Sequence, residues 1–217
     1  MQFKFDIPKI DSFLLPLATA GLLCVVGYKA NLLLTRLCVK ALLPAKYGGL
    51  DSSYVIVVDA GNKSDVYQTV NFARQYGMDF RKVLNRIIVT RTFTIHQLKS
   101  IILSGELTKA IQKHQAGIVV IPGLLDLFDD PNIKQKEAKR VIGRIMKSLD
   151  ATSSKFLVIT SVQESNKYTK LIASGATKQI RLTKLKYGRR LTVELYNRGD
   201  RKNISLTEKE LKIVQKR

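Results

Sequence analysis

Five short apolar runs punctuate the chain, at residues 22–26, 54–59, 87–90, 117–121 and 156–160. Each is rich in β-branched residues and bounded by turn or polar positions. Unbroken apolar runs of this length belong to strands covered on both faces, as in a parallel sheet. Helical patterns lie between them. One covers residues 32–43. A second begins near Ser64 as N-cap and ends around Tyr76 and Gly77, where glycine suits a helix end. Thr94 caps a third that runs through Leu98, Ile101 and Ile102 towards Gln112, with Gly105 as a weak point. The clearest spans 134–149, where Ala138, Val141, Ile142, Ile145, Met146 and Leu149 recur at three-and-four spacing on one face. Strand and helix in alternation predict an α/β fold, a mostly parallel sheet flanked by helices.

The pattern changes in the C-terminal third. Ile180 and Leu182 alternate with polar neighbours, as do Leu191, Val193 and Leu195, on either side of Tyr187 and Gly188. Period-two alternation around such a turn predicts an antiparallel hairpin appended to the sheet. From about residue 204 to 217 the chain reads as a basic tail, either a short helix or a frayed end.

At 217 residues and 45% hydrophobic, the sequence suits a single core domain over 1–217. Charge adds the most: 37 Lys and Arg against 17 Asp and Glu give a net charge of +20. Residues 131–217 carry 22 basic and 7 acidic residues, so most of the excess lies there. A polyanionic partner is implied, nucleic acid before an anionic membrane. Cys24 and Cys38 have neither disulfide nor metal spacing and read as buried thiols of a cytoplasmic protein. The apolar stretch 13–26 is too short to span a bilayer and is broken by Pro16, so a membrane partner is not expected.

The segment 25–37, VVGYKANLLLTRL, runs from a strand through a turn at Gly27 into a helix, where many α/β proteins hold a nucleotide phosphate. A phosphate loop needs a second glycine, a lysine and a hydroxyl. Counted from Gly27, those places fall on Leu32, Leu33 and Leu34.

Longer phrases carry a family resemblance. KIDSFL, VVGYKANLLLTRLC, VIVVDAG, ARQYGMDFRKVLNRIIVTRTFTIHQL, AGIVVIPGLLDLF, KFLVITSV and ASGATKQIRLTKLKYGRRLTVELYN follow one another as in the RecA/RadA recombinase core. The middle phrase is the most specific, since no general α/β pattern requires it. The resemblance implies a RecA-like P-loop NTPase core without the helical N-terminal domain that many relatives carry. It also implies where catalysis would reside, and there the sequence departs. The Walker A position keeps Gly27 but has Lys29 too early. The aspartate closing the Walker B strand is replaced by Pro122. Asp59 is followed by Ala60, Gly61 and Asn62 where the family places a glutamate. Phosphoryl transfer depends on such positioning and charge-neutralising groups, so the expectation is a degenerate nucleotide site at Gly27, Lys29, Asp59 and Pro122, with no catalytic residue, no cofactor and no hydrolysis.

No metal site is expected: His96 and His114 lack partners at ligand spacing, and Asp126, Asp129 and Asp130 read as loop residues. DNA contact is what the remaining residues support. The family's two DNA-facing loops correspond to about 129–136 and to 162–170, the second offering Lys167, Tyr168 and Lys170, an aromatic between cations that suits stacking on a single strand. Lys184, Lys186, Arg189 and Arg190 on the hairpin, with Lys136, Lys139 and Arg140 on the basic helix, would add phosphate contacts. The expected function is a non-catalytic RecA/RadA-like paralogue that binds DNA, single-stranded before double-stranded, and assists recombinational repair. The alternative is a pseudo-ATPase subunit docking on a RadA-type recombinase or a replication protein.

Overall fold

The computed structural model describes residues 3–15, 17, 19–185 and 190–214. In chain order the elements are α1 (Pro8–Leu14), β1 (Gly21–Gly27), α2 (Ala30–Ala41), β2 (Tyr54–Ala60), α3 (Val66–Gln75), α4 (Phe80–Leu84) and β3 (Ile87–Thr92). Then come α5 (Ile95–Leu103), α6 (Glu106–His114), β4 (Ala116–Ile121), α7 (Gln135–Ser153), β5 (Leu157–Val162), α8 (Thr169–Ser174), β6 (Lys178–Lys184), β7 (Arg190–Asn197), β8 (Asp200–Thr207) and α9 (Glu208–Lys212).

The strands form one sheet in the order β3-β2-β4-β5-β1-β6-β7-β8. The first six are parallel, and β7 runs antiparallel between β6 and β8. In β1 the continuous apolar run serves two cores at once. Leu23 and Val25 face the core built with α1, α2, α3, α4 and α9, whereas Leu22, Cys24 and Val26 face the one built with α5, α6, α7 and α8. Each fully buried Leu, Ile or Val here contributes roughly 1.5–3 kcal/mol relative to exposure. On α7, Val141, Ile142, Ile145 and Leu149 supply four such contacts.

Helix boundaries follow local chemistry. The N-cap of α3 is Asp65, whose carboxylate accepts the Gln68 N–H, one position beyond the Ser64 expected from sequence. Thr94 caps α5 as expected. Gly105, at φ +84, splits the long third helix into α5 and α6.

The C-terminal segment holds the short helix that was one of its two expected forms, and a strand before it. Residues 204–212, expected as a basic tail, complete β8 and form α9, with Leu206 and Leu211 buried. A capping box between Thr207 and Glu210 starts α9. The buried Arg36 guanidinium of α2 donates to the carbonyls of Glu210 and Leu211 at 3.0 and 3.3 Å, and to that of Asp6 at 2.8 Å. Beside it, the fully buried Lys40 ammonium pairs with Asp6. Burial pulls the Lys40 ammonium below its usual pKa despite the carboxylates of Asp6 and Asp11.

Candidate functional site

At the end of β1, Gly27 takes φ +92, and a Cβ there would lie 2.4 Å from the Leu182 carbonyl oxygen. Glycine is required because β6 passes this close, and the Tyr28 N–H donates to that same oxygen at 2.9 Å. Lys29 follows in the left-handed region at φ 56, and α2 begins at Ala30. Only two residues separate the end of β1 from α2, so no long loop wraps the helix start. Leu33 and Leu34 lie inside α2, buried in the core, and Leu32 is half-buried.

The Lys29 ammonium is engaged by Glu208 of α9, whose other carboxylate oxygen accepts the Tyr28 hydroxyl at 2.8 Å. Hydrogen bonds from Lys29 and then Tyr28 hold the Glu208 carboxyl below its usual pKa. At the end of β2 the buried Asp59 carboxylate accepts the N–H groups of Lys63 at 2.6 Å and Ser64 at 3.1 Å, fixing the turn after the strand. The Pro122 carbonyl accepts the Ala60 N–H at 3.2 Å, which ties β4 to β2. Across these strand ends Lys63 pairs with Asp126 at 3.0 Å. Gly61, at φ +86, leaves room for a Cβ only 3.3 Å from that of Asp126. Backbone ties and ion pairs thus occupy the four positions Gly27, Lys29, Asp59 and Pro122. Tyr28, Lys63, Asp126 and Glu208 join them from elsewhere, and sequence reasoning missed all four as members of this cluster. Glu208 lies 179 residues from Lys29, and no local pattern signals such a contact.

Among the described residues no group of three His, Cys, Asp or Glu side chains could hold a metal ion. Asp126 faces Lys63, Asp129 accepts the Asn166 side-chain amide at 2.7 Å, and Asp130 accepts the Asn132 N–H at 2.8 Å. Both cysteines are buried, and burial pushes each thiol pKa up to about 12.

The expected nucleic-acid residues fall into two groups. Lys136, Lys139 and Arg140 are exposed on α7, in line with Arg144 and Lys147, over roughly 16 Å of helix. None of the five has an acidic partner within 4.0 Å among the described residues. Lys167 and Lys170 are exposed at α8, on the same side of the sheet. Tyr168 must be corrected: it is 2% exposed, packed into the core at the start of α8, so its ring cannot stack on a base. The second group sits where the β6–β7 hairpin meets β1. Lys184 lies 5.2 Å from the Tyr28 ring centroid and Lys29 5.0 Å, so the hairpin and the β1–α2 turn share one aromatic ring. Arg190 is exposed beside them on β7, opposite Thr207. Lys186 and Arg189 lie outside the described residues.

The Rad51 family model matches residues 27–183, from the glycine that closes β1 almost to the end of β6. The chain belongs to the Rad51 family. No curated protein matches it. The sheet is accordingly that of a RecA-like core, and membership relates the protein to recombination and repair. Of the described site residues, Lys184, Arg190 and Glu208 lie beyond the matched Rad51 segment, so the contact between Glu208 and Lys29 joins the matched core to the strands and helix that follow it. No helix among the described residues is long and apolar enough to cross a membrane.

Proposed function

We propose that this Rad51-family protein binds DNA without catalysing ATP hydrolysis and assists recombinational repair, gripping single strands independently of sequence. The observation that carries this reading is the row of five exposed cations on α7, unpaired with acids among the described residues, with Lys167 and Lys170 exposed on the same side of the sheet. Like charges at i, i+3 and i+4 repel one another and weaken a helix, so a row of them is best accounted for by a polyanion that neutralises it. The absence of hydrolysis is supported by the short β1–α2 turn, by Leu33 and Leu34 in the core, and by the engagement of Lys29 with Glu208.

Titration of labelled single-stranded DNA at low salt tests the reading. The double variant Lys139→Glu, Arg140→Glu should lose about tenfold or more in affinity, because four units of charge change where phosphates would bind. Unchanged affinity would refute the assignment to α7.

A second reading, docking on a recombinase or replication protein, is favoured by exposed apolar residues around β3 and α3. Tyr67 is 89% exposed and Phe93 65%. Substituting both by Ser should abolish partner capture and leave DNA affinity intact if docking is the main role.

A further inference from the structure

We propose that a cavity between α2 and α3 is a binding site for a small, neutral aromatic molecule carrying one hydroxyl. The cavity measures about 280 Å³. Its floor is the sheet, with Val57 of β2, Ile87 of β3 and Val120 of β4, and Leu34 of α2 forms part of one wall. None of Gly27, Tyr28 or Lys29 lines it, so it is distinct from the turn between β1 and α2.

Small side chains leave this space open. Thr35 on α2, with Ser64 and Thr69 on either side of the α3 N-cap, stand where larger apolar groups would close the gap between the helices. Protein interiors otherwise pack closely, with few voids larger than a water molecule. A dry cavity of about 150 Å³ suffices for benzene, so a two-ring molecule matches the volume found here. Val66 and Val89 also line the cavity and are 51% and 43% exposed, which puts them at its mouth and opens it to solvent.

The polar groups set the character of the ligand. The Ser64 N–H donates to the Asp59 carboxylate at 3.1 Å, but the Ser64 hydroxyl is buried without a hydrogen-bond partner among the described residues. A buried hydroxyl left unpaired is costly, and a ligand hydroxyl would satisfy it. The charged residues of the wall are already engaged. Lys63 pairs with Asp126 at 3.0 Å, and the Asp65 carboxylate accepts the Gln68 N–H at 3.0 Å. A charged ligand would therefore lose its hydration with no counter-ion left to meet it. An apolar body with a single hydroxyl is what these walls accommodate. Because the site is built jointly by α2, α3 and three strands, a ligand that fills it stabilises the folded state.

The test uses 2-naphthol as the probe, followed at neutral pH by its own fluorescence and by thermal shift. It should bind wild-type protein with sub-millimolar affinity and raise Tm as its concentration rises. The anion 2-naphthoate, with the same rings, should bind about tenfold or more weakly. Ser64→Ala should weaken 2-naphthol about fivefold, and Ser64→Thr, which keeps the hydroxyl, should bring it back to within about twofold. Thr69→Leu, which fills the space, should abolish binding. Should Thr69→Leu fail to fold, the two Ser64 variants decide the matter. ATP with magnesium should not displace the probe. The inference is overturned if 2-naphthol does not bind up to its solubility limit, if folded Thr69→Leu binds it like wild type, if Ser64→Ala has no effect, or if 2-naphthoate binds as well. Displacement by ATP would equally overturn it, since the probe would then occupy a nucleotide site. None of these outcomes depends on DNA binding, so failure of the proposed function leaves the test intact.

Discussion

Replacing Arg36 with Met tests whether α9 belongs to the fold. Met retains much of the side-chain volume, so the change reads the guanidinium's hydrogen bonds more than its packing. Two of those bonds are short, 2.8 Å to the Asp6 carbonyl and 3.0 Å to that of Glu210, and two are long, 3.3 Å to Leu211 and 3.5 Å to Ile213. A hydrogen bond from a charged donor contributes about 1.5–3 kcal/mol, so the two short ones together supply roughly 3–6 kcal/mol. Removing a buried cation returns part of this, because its desolvation cost disappears as well. The net loss should be about 2–4 kcal/mol, which for a chain of this size lowers Tm by roughly 4–16 °C. Thermal unfolding followed by circular dichroism measures the shift, and limited proteolysis should show earlier cleavage near α9. A Tm within about 2 °C of wild type, with unchanged proteolysis, would show that α9 is not held by Arg36 and would refute this reasoning.

Gly27→Ala should destabilise the protein by several degrees in Tm, since its Cβ would meet the Leu182 carbonyl oxygen at 2.4 Å in a left-handed backbone conformation. A neutral result would mean that the β1–β6 approach is looser than described. With thiol pKa values of about 12 and side chains buried in the two cores, Cys24 and Cys38 should resist a disulfide reagent at about pH 8 in the folded state and react once denaturant is added. Rapid labelling of native protein would contradict their place in the two cores. ATP with magnesium should leave Tm unchanged. A ligand at about a hundred times its Kd would add about 2.7 kcal/mol, a shift of roughly 5–11 °C that differential scanning fluorimetry readily resolves.

The parallel sheet was legible because β1, β2, β4 and β5 are buried on both faces and read as unbroken apolar runs; the run at 87–90, expected to be covered likewise, forms the edge strand β3, which leaves Val89, Thr90 and Arg91 exposed. Helix α7 was legible because one face meets the core and the other meets water. Strand β8 escaped notice, since residues 200–203 are all exposed and show no alternation. The place of α9 escaped for a different reason: Arg36 reaches its carbonyls across 174 residues or more, and no local pattern encodes such a distance. Tyr168 shows the converse error. An aromatic between two lysines has the composition of a stacking platform, but α8 turns the ring inward and leaves only Lys167 and Lys170 outside. Lys29 was recognised as displaced from the lysine position of a phosphate loop. What could not be read was the left-handed turn that places it against Glu208.

The most direct test of nucleotide-independent DNA binding is a salt series, in which the affinity for a single-stranded oligonucleotide is measured with and without ATP and magnesium. If the five α7 cations meet phosphates, the slope of log affinity against log salt should be roughly −3 to −4, identical with and without ATP, and it should fall by about half in the Lys139→Glu, Arg140→Glu variant. A slope near zero, no binding at low salt, or binding that appears only with ATP would contradict the account.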